Sequence, residues 1–532
     1  MLFFKNLSLI LWISLLGFCH AKVEDYLKGI KFQRSFSPIE GKVIDFNISM
    51  TDKQYNEMIE NAQLSMVELA MVYHNTIPDE AKYSTKVNVN ITVDDDIYSF
   101  EKVKFKLGGN SSKAFAKVGI NLKLKQPFLG RTNLHLRPDF TDISHMRSKL
   151  AIDMVNKWNI PTVQETYANV YINGKYFGFY MLLDAIKPGW VTDVYKLPED
   201  EEVKTLYACE GLSMAFNPTV VKRNCINEKD EYLNYTQPLN DMVDEIYEYT
   251  SLSQLITKFD NVENIRKFLI YEYLFGATDN FLIGGNNYNL YQKSNGKWEF
   301  IPMDYNFVLL LNFDVMVQQH PYQIPKHDVL IDYAKAKFEE WHSPGTRKPF
   351  IDILYYNDKK KFTKVLKELL ITGFNTDELF ARIDELAEFI APHVERDITP
   401  DENGNLPGQI NKKGIAIRYT IDDFWNSLRN DDYKTSFGIK KYFQVKFDSV
   451  CDIFNFDKSE ILRKAKLYRK KRELEANIYD LRQELKELED RLLEAPKNTR
   501  EAISKLINKI FDKIAKYVKK IEKYDDKLLE DN

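Results

Sequence analysis

The sequence lacks the features that assign a protein quickly. Its four cysteines in 532 residues are too few for a disulfide-rich scaffold, and their spacings match no zinc site. The 74 basic and 78 acidic residues give a formal net charge of -4, which disfavours wholesale binding to nucleic acid or anionic lipid. No Walker A pattern for phosphate binding occurs. The 44% hydrophobic content nevertheless suffices for a large core and two or three domains.

Long apolar runs are also missing, apart from the N-terminus. The opening "MLFFKNLSLILWISLLGFCHAK" has Lys5, an apolar stretch, and small residues at Cys19 and Ala21. This pattern predicts a secretory signal peptide over residues 1–21, with a retained signal anchor as the alternative. No later segment reaches about 18 apolar residues, so we expect no membrane span in the mature chain. The expected location is secreted, either extracellular or at the cell surface.

The remaining cysteines and the glycosylation motifs fit this location. Cys209 and Cys225 flank a loop suited to a local disulfide, which an oxidising compartment permits. For Cys451 we expect a free buried thiol instead. The chain also carries acceptor motifs for N-linked glycans, as a secreted eukaryotic glycoprotein would, at Asn47, Asn90, Asn110 and Asn234.

The pattern of apolar residues divides the mature chain into parts. Residues 40–235 are rich in alternating segments, including the predicted hairpins "KVNVNITV" to "YSFEKVKFKL" and "TYANVYINGKYFGFYMLL". Residues 236–455 are mainly helical in pattern, with a strand pair in "NYNLYQKSNGKWEFIPMDYNF". This order predicts an α+β fold with a cleft between a strand-rich and a helix-rich lobe.

Residues 456–532 form a third predicted part. Apolar residues there step by four and three, first from Leu474 to Leu492 and then from Ile503 to Leu528. Two such helices joined by a short turn predict an antiparallel hairpin, a coiled coil. Its apolar seam could close on itself, pack on the main domain, or recruit another chain, including a second copy.

One group of polar residues interrupts apolar context in the helix-rich part. Asp279 follows a predicted helix, Asn287 lies in the next loop, and Asp304 and Asn306 lie on a predicted strand. Side-chain oxygens brought together by a hairpin could hold Mg²⁺, which prefers oxygen ligands and keeps waters for phosphate substrates. The alternative is that these residues cap helices and make turns.

A second group lies in "LGGNSSKAFAK". Its glycines allow close backbone approach, Ser111 and Ser112 offer hydroxyls, and Lys113 and Lys117 offer positive charge for phosphates. A flexible loop with surface lysines is the alternative.

Two further charged residues are weaker candidates. Arg147 is expected on the first turns of a helix, where it could reach a phosphate or an acidic neighbour. Asp184 follows an apolar strand, where it could orient a lysine or end the strand.

These segments together resemble the CotH family of atypical protein kinases from spore coats and secreted proteins, in its fungal form. The resemblance runs in family order over about residues 87–354 and more weakly to 447. The segments that carry it are "FKLGGNSSKAFAKVGINLKL", "MRSKLAIDMVNKWNIPT", "YANVYINGKYFGFYMLLDAIK", "EYLFGATDNF", "NNYNLYQKSNGKWEFIPMDYNF" and "RKPFIDIL".

The resemblance implies a bilobal kinase-like fold that binds ATP with Mg²⁺ or Mn²⁺ and phosphorylates serine or threonine of proteins outside the cytosol. It implies a catalytic role for Asp279 and a metal-binding role for Asp304. Asn287 matches an asparagine beside the metal site, and Lys117 matches the lysine after the "GNSS" loop. Expected ATP-binding residues are therefore Lys117, Ser111, Ser112, Arg147 and Asp184, and expected metal ligands are Asp304, Asn287 and Asn306.

Three positions depart from the family pattern. Asn306 stands where many relatives have a second aspartate, Asn286 replaces a common histidine, and Gly108 replaces an arginine of bacterial members. An amide in place of a carboxylate keeps an oxygen ligand but loses its charge, so Mg²⁺ affinity should fall. Two hypotheses follow, with a protein substrate or a surface receptor as partner: an active secreted kinase, or a weakly active or inactive surface protein in adhesion and host-cell interaction.

Overall fold

The computed structural model describes residues 26–27, 34–73, 77–109, 111–139, 141–198, 200–311, 313, 330–429, 432–433 and 436–529. The predicted signal peptide and Asn110 lie outside this set. The described chain is a mixture of helices and sheets, which confirms the predicted α+β class.

Seven strands close into a barrel in the order β1-β2-β3-β4-β5-β7-β6. Alternate residues fill its interior, because successive side chains of a strand point to opposite faces. The predicted hairpins are confirmed as β2–β3 and β6–β7, and the parallel pairing of β6 with β1 closes the barrel. The bounds are β1 (Val43–Ser49), α1 (Asp52–Asn61), β2 (Ser84–Val93), β3 (Asp96–Gly108), β4 (Gly119–Phe128), β5 (Arg131–Arg137), α2 (Arg147–Lys157), β6 (Glu165–Ile172) and β7 (Lys175–Asp184).

The following part packs helices around a sheet of order β11-β10-β8-β9. Its first elements are α3 (Pro188–Val194), β8 (Leu206–Cys209), α4 (Pro218–Asn224), β9 (Cys225–Asn227), α5 (Gln237–Tyr247), α6 (Leu252–Lys258), α7 (Val262–Phe275), α8 (Phe281–Gly284), β10 (Tyr288–Gln292) and β11 (Trp298–Pro302). They are followed by the helical segment Arg347–Tyr356, α9 (Lys359–Thr372), α10 (Thr376–Asp397), α11 (Ile421–Leu428), β12 (Asp432–Tyr433), β13 (Ser436–Phe437) and α12 (Ile439–Phe454). Single helical turns occur at Ser37–Ile39, Glu68–Val72, Asp79–Ala81, Ser111–Ala114, Asp230–Tyr232, Leu330–Lys335 and Phe338–Glu340.

The cysteines lie as the sequence predicts. A disulfide joins Cys209 at the end of β8 to Cys225 at the start of β9. Cys451 is a buried free thiol on α12.

Two long helices end the described chain, α13 (Lys458–Glu494) and α14 (Lys497–Leu529). They pack on one another through a small cluster of buried apolar residues, Leu481, Leu488, Ile507 and Ile510. Nearer the main body, Lys471 Nζ lies 2.5 Å from Asp525 Oδ1, and α13 packs on α9. Among the described helices, none has the length and apolar content that a membrane crossing requires.

The barrel and the helical part each have a core of their own, and the helical core includes apolar side chains on the strands β6 and β7, such as Tyr167 and Met181. The contact that marks the junction of the two parts joins Arg137, the last residue of β5, to Asp304, two residues after β11. The candidate site is built around it.

Candidate functional site

The two central acidic residues lie in turns that each contain a residue with left-handed backbone, Gly276 before Asp279 and Asp304 itself. Helix α7 ends at Gly276, whose φ of 55° is readily adopted by glycine, and the chain then turns through Asp279 into α8. Strand β11 ends at Pro302, and Asp304 follows in the loop with a φ of 53°. The prediction that Asp304 and Asn306 lie on a buried strand is therefore wrong. The side chain of Asp304 is 35% exposed, so its carboxylate avoids most of the free-energy cost of burying a charge.

Two neighbouring amides hold Asp279. Asn286 Nδ2 donates to Asp279 Oδ1 over 3.2 Å, and Asn287 Nδ2 donates to the Asp279 carbonyl over 2.8 Å and to Oδ2 over 3.3 Å. The backbone of Asn287 bridges the sheet, since its N–H donates to Cys209 and its carbonyl accepts from Met303. The predicted site residues Asp279 and Asn287 are thus in direct contact.

A third amide ties the two turns together. Asn280 Nδ2 donates to the carbonyl of Asp304 over 2.8 Å and to that of Met303 over 3.2 Å. Behind this turn, the buried Glu272 of α7 accepts the N–H groups of Phe281 and Leu282 over 2.9 and 2.6 Å. Burial raises the pKa of Glu272 to about 8. The turn that bears Asp279 is therefore anchored from two sides.

The charges of the site influence one another. Burial and, next, the negative charge of Asp304 raise the pKa of Asp279 to about 6, against the amide hydrogen bonds that lower it. Arg137 Nη2 lies 3.1 Å from Asp304 Oδ2, so a guanidinium balances part of this charge. His135, two residues earlier on β5, has its pKa lowered to about 4 by burial and by the charges of Arg137 and Lys187. The imidazole is therefore neutral near pH 7.

Arg137 was not predicted from the sequence as a residue of the site. The available signal was its position at the end of an alternating segment, "RTNLHLRPDF", directly before a proline. A basic residue at a strand end is common, and its acidic partner lies 167 positions further along the chain. Only the packing of the barrel on the helical part brings the two together.

The predicted phosphate-contacting lysine occupies a neighbouring position. Lys117 Nζ lies 2.6 Å from Asp397 Oδ2 at the end of α10 and donates to the carbonyl of Phe179 over 2.8 Å. Burial lowers the pKa of Lys117. Both residues line a cavity of about 40 Å³ that Asp139 also lines. Asp139 follows Arg137 by two residues along the chain, so this cavity lies beside the candidate site.

The other predicted ATP-binding residues have protein partners or lie in a short turn. Arg147, the first residue of α2, forms a buried ion pair with Asp142. Asp184, the last residue of β7, accepts from Arg131 Nε over 2.7 Å, so its partner is an arginine where a lysine was one expectation. Ser111 and Ser112 begin the turn Ser111–Ala114. Their roles in binding ATP stay predictions.

The oxygen atoms around Asp279 and Asp304 fit a magnesium-type site. The side-chain oxygens of Asn280 and Asn289 are buried and have no hydrogen-bond partner, which is costly unless a ligand uses them. Over the described ranges, no group of three or more His, Cys, Asp or Glu side chains is arranged to hold a metal. Two carboxylates with amide oxygens match Mg²⁺ sites that are completed by substrate phosphates.

The predicted ligand Asn306 is half-buried beside this set. Its backbone N–H donates to Asp304 Oδ1 over 3.3 Å, and this bond orients the carboxylate.

Comparison with known proteins gives consistent matches. The chain is 22% identical to "Invasin CotH2" of Rhizopus delemar over 379 residues, which cover 68% of this chain and 61% of the relative. "Invasin CotH3" of the same organism is 24% identical over 384 residues, covering 68% and 60%. "Inner spore coat protein H" of Bacillus subtilis is 23% identical over 209 residues, covering 37% and 56%. The chain thus spans about three fifths of the length of the two invasins.

The family model described as "CotH kinase protein" matches residues 98–419. This range is more than half of the chain and contains Lys117, Arg137, Asp279, Asn287 and Asp304. The chain therefore belongs to the CotH family.

Proposed function

We propose that the chain is an atypical protein kinase that transfers the γ-phosphate of ATP to serine or threonine of extracellular or surface proteins. The observation that carries the proposal is the pair of carboxylates, Asp279 and Asp304, which two anchored turns hold in one electrostatically coupled site. Phosphoryl transfer needs positioned reactants and charge neutralisation more than covalent chemistry by the protein. In this proposal the barrel and the helical part are the two kinase lobes, and α13 with α14 forms an antiparallel hairpin.

Each residue of the site has a specific role in the proposal. Asp304 would hold Mg²⁺ or Mn²⁺ together with amide oxygens from the set Asn280, Asn287, Asn289 and Asn306. The bound metal would neutralise charge on the phosphates of ATP. Asp279, ionised above about pH 6, accepts the hydrogen bond of the acceptor hydroxyl and orients it for attack. Arg137 supplies positive charge beside Asp304.

Labelled ATP tests the proposal directly. The full-length chain is incubated with Mg²⁺ or Mn²⁺ and casein as a general acceptor, and label on the acceptor is counted. We expect Asp279→Asn and Asp304→Asn each to reduce transfer about a hundredfold or more, because each removes a charge that acts on the reacting groups. Asp332→Asn is the matched control, since Asp332 is a partly exposed residue paired with Lys335 away from the site. Equal labelling by wild type and both site variants would refute the assignment.

A second candidate function is a surface protein in adhesion or host-cell interaction. The names of the two Rhizopus relatives, both called invasins, favour it, as does the amide at Asn306 in the proposed metal site. Under this proposal ATP with Mg²⁺ leaves the melting temperature unchanged, while the purified chain binds to host-cell surfaces and the Asp304→Asn variant binds equally well. A rise in melting temperature that depends on Asp304 would favour the kinase.

A further inference from the structure

Three lysines lie directly opposite one another on the outside of the barrel. Lys86 of β2 pairs with Lys104 of β3, which pairs with Lys123 of β4. Lys106 and Lys125 lie two residues further along β3 and β4 and point outward as well, since exposed and buried residues alternate there. Like charges directly opposite on neighbouring strands destabilise a sheet. We name these five residues the lysine face.

Within the described part of the chain, ion pairs do not neutralise the charges of the lysine face. No carboxylate of the described chain lies within ion-pair distance of the five ammonium groups, all of which are exposed. The pKa of Lys106 is lowered by burial and then by the charge of Lys104, against the opposing influence of Asp230. The lysine face is therefore electropositive and rigidly spaced by the sheet.

The lysine face continues into the candidate site. Lys106 pairs with Asn121 of β4, and Asn121 pairs with His135 of β5. His135 and Arg137 lie on the same outward side of β5, because they are two residues apart on one strand. Lys123 pairs with Asn133 of β5, which lies four residues before Arg137, or about 13 Å along the strand. Neighbouring strands are about 5 Å apart. A path of about 15 Å thus joins the candidate site to the lysines.

We propose that the lysine face binds an acidic segment of the acceptor protein. About 15 Å of extended peptide is four to five residues, so Asp, Glu or already phosphorylated residues that many positions from the part of the acceptor beside Arg137 would meet the lysines. The inference rests on the proposed function, because the kinase site defines where the acceptor hydroxyl lies. A protein segment fits better than a separate polyanion, since the lysine face and the candidate site lie on the same outward side of β3, β4 and β5, joined by the polar residues Asn121 and His135.

Fluorescence anisotropy tests the binding without ATP or metal. The probe is a labelled peptide with one serine and a block of four glutamates that begins four residues from it, and the reference peptide has glutamine in place of glutamate. The triple variant Lys104→Gln, Lys106→Gln, Lys123→Gln should bind the acidic peptide about tenfold more weakly, as expected for the loss of several exposed ion pairs. Its melting temperature should equal or exceed that of the wild type, because repulsion between opposite lysines is relieved.

The chain offers a matched control with the same change in charge. Lys516, Lys520 and Lys523 are exposed on α14, and their triple glutamine variant should bind the peptide as the wild type does. Equal weakening by both triple variants, or no preference for the acidic peptide, would overturn the inference. Tighter binding of a heparin fragment that displaces the peptide would also overturn it, in favour of a polysaccharide site.

Failure of the kinase proposal can be separated from failure of this inference. Label transfer to casein with equal peptide binding by wild type and lysine-face variant would refute the docking surface alone. Acidic-peptide binding that depends on the lysine face, without any label transfer, would refute the kinase and leave an acidic protein partner for this surface.

Discussion

At the scale of residues, the charge of Asp304 is partly balanced by a neighbouring arginine and is not reinforced by a second carboxylate two residues along the chain. Asp304 has Arg137 as its ion-pair partner, while the neighbouring position 306 supplies an amide. Any divalent cation at Asp304 must compete with this guanidinium. The affinity of the site for a metal therefore depends on how many carboxylates surround it.

Asn306→Asp should raise the affinity for Mn²⁺ about tenfold, because it adds a second carboxylate close to Asp304. The measurement is a Mn²⁺ titration followed by electron paramagnetic resonance, which reports binding independently of activity. The control is Asn295→Asp in the exposed turn between β10 and β11, which adds the same charge and should leave the affinity for Mn²⁺ unchanged. A weaker affinity in the Asn306→Asp variant would show that position 306 does not face the metal.

A buried lysine on α12 has an unusual environment. Lys446 is fully buried, its Nζ has no hydrogen-bond partner, and it lies 3.6 Å from the centroid of the Tyr273 ring. Burial lowers the pKa of Lys446 well below its usual value. In the pH range between this lowered pKa and about 10.4, the unfolded chain therefore binds a proton that the folded chain does not, and this difference destabilises the fold.

Lys446→Met should raise the free energy of unfolding by about 1–3 kcal/mol near pH 7, because an apolar side chain of similar length carries no desolvated amine. From the lowered pKa up to about 10.4, the stability of the wild type should rise with pH relative to the variant, by up to about 1.4 kcal/mol per pH unit. Urea unfolding of both proteins between pH 6 and 9 measures this difference. A constant difference across that range would mean that Lys446 stays protonated in the fold.

At the scale of elements, a disulfide cross-links two strands of the sheet beside the site. The disulfide between Cys209 and Cys225 joins β8 to β9, and the carbonyl of Cys209 accepts the N–H of Asn287. Asn287 in turn holds Asp279. The disulfide therefore supports the site through one intermediate residue.

The double variant Cys209→Ala, Cys225→Ala should lose about 3 kcal/mol of stability, since the bond closes a loop with a sequence separation of 16 residues. Urea denaturation measures the loss. Wild type treated with dithiothreitol should unfold at the same urea concentration as the double variant. Unchanged stability would show that the β8–β9 pairing is held by other contacts.

At the scale of the whole molecule, the apolar residues form separate cores. The barrel has one core, the helical part has another, and the far ends of α13 and α14 share a small cluster that includes Leu488 and Ile510. A small cluster that touches neither larger core should unfold locally, at a lower free energy than the rest.

Leu488→Ala combined with Ile510→Ala should open the outer halves of α13 and α14 while the barrel stays folded, because each truncation in a small cluster costs about 2–5 kcal/mol. Hydrogen exchange measured by mass spectrometry should show faster exchange in these two helices alone. Leu493→Ala is the control, since Leu493 is 79% exposed, and it should leave exchange unchanged. Faster exchange in the barrel strands would show that the cores are coupled.

Features that depend on residues close together in the chain were predicted from the sequence, and features that depend on residues far apart were not. Both barrel hairpins, the α+β class and the disulfide were predicted, because alternation, tight turns and nearby cysteines are local signals. The end of β11 before Asp304 was not predicted, because the left-handed backbone conformation of Asp304 leaves no mark on the apolar pattern around it. The bilobal arrangement and the roles of the ATP-binding residues stay predictions.

By itself the sequence determined the hairpins and the α+β class, and it predicted Asp279, Asn287 and Asp304 as residues of the candidate site, because polar residues within apolar segments need a partner or a function. The tertiary structure decided what surrounds them. The closing of β1 on β6, the pairing of Arg137 with Asp304, and the continuity of the lysine face with the site all join residues far apart in the chain. Such contacts form only when the packing of two cores fixes the relative positions of strands and turns.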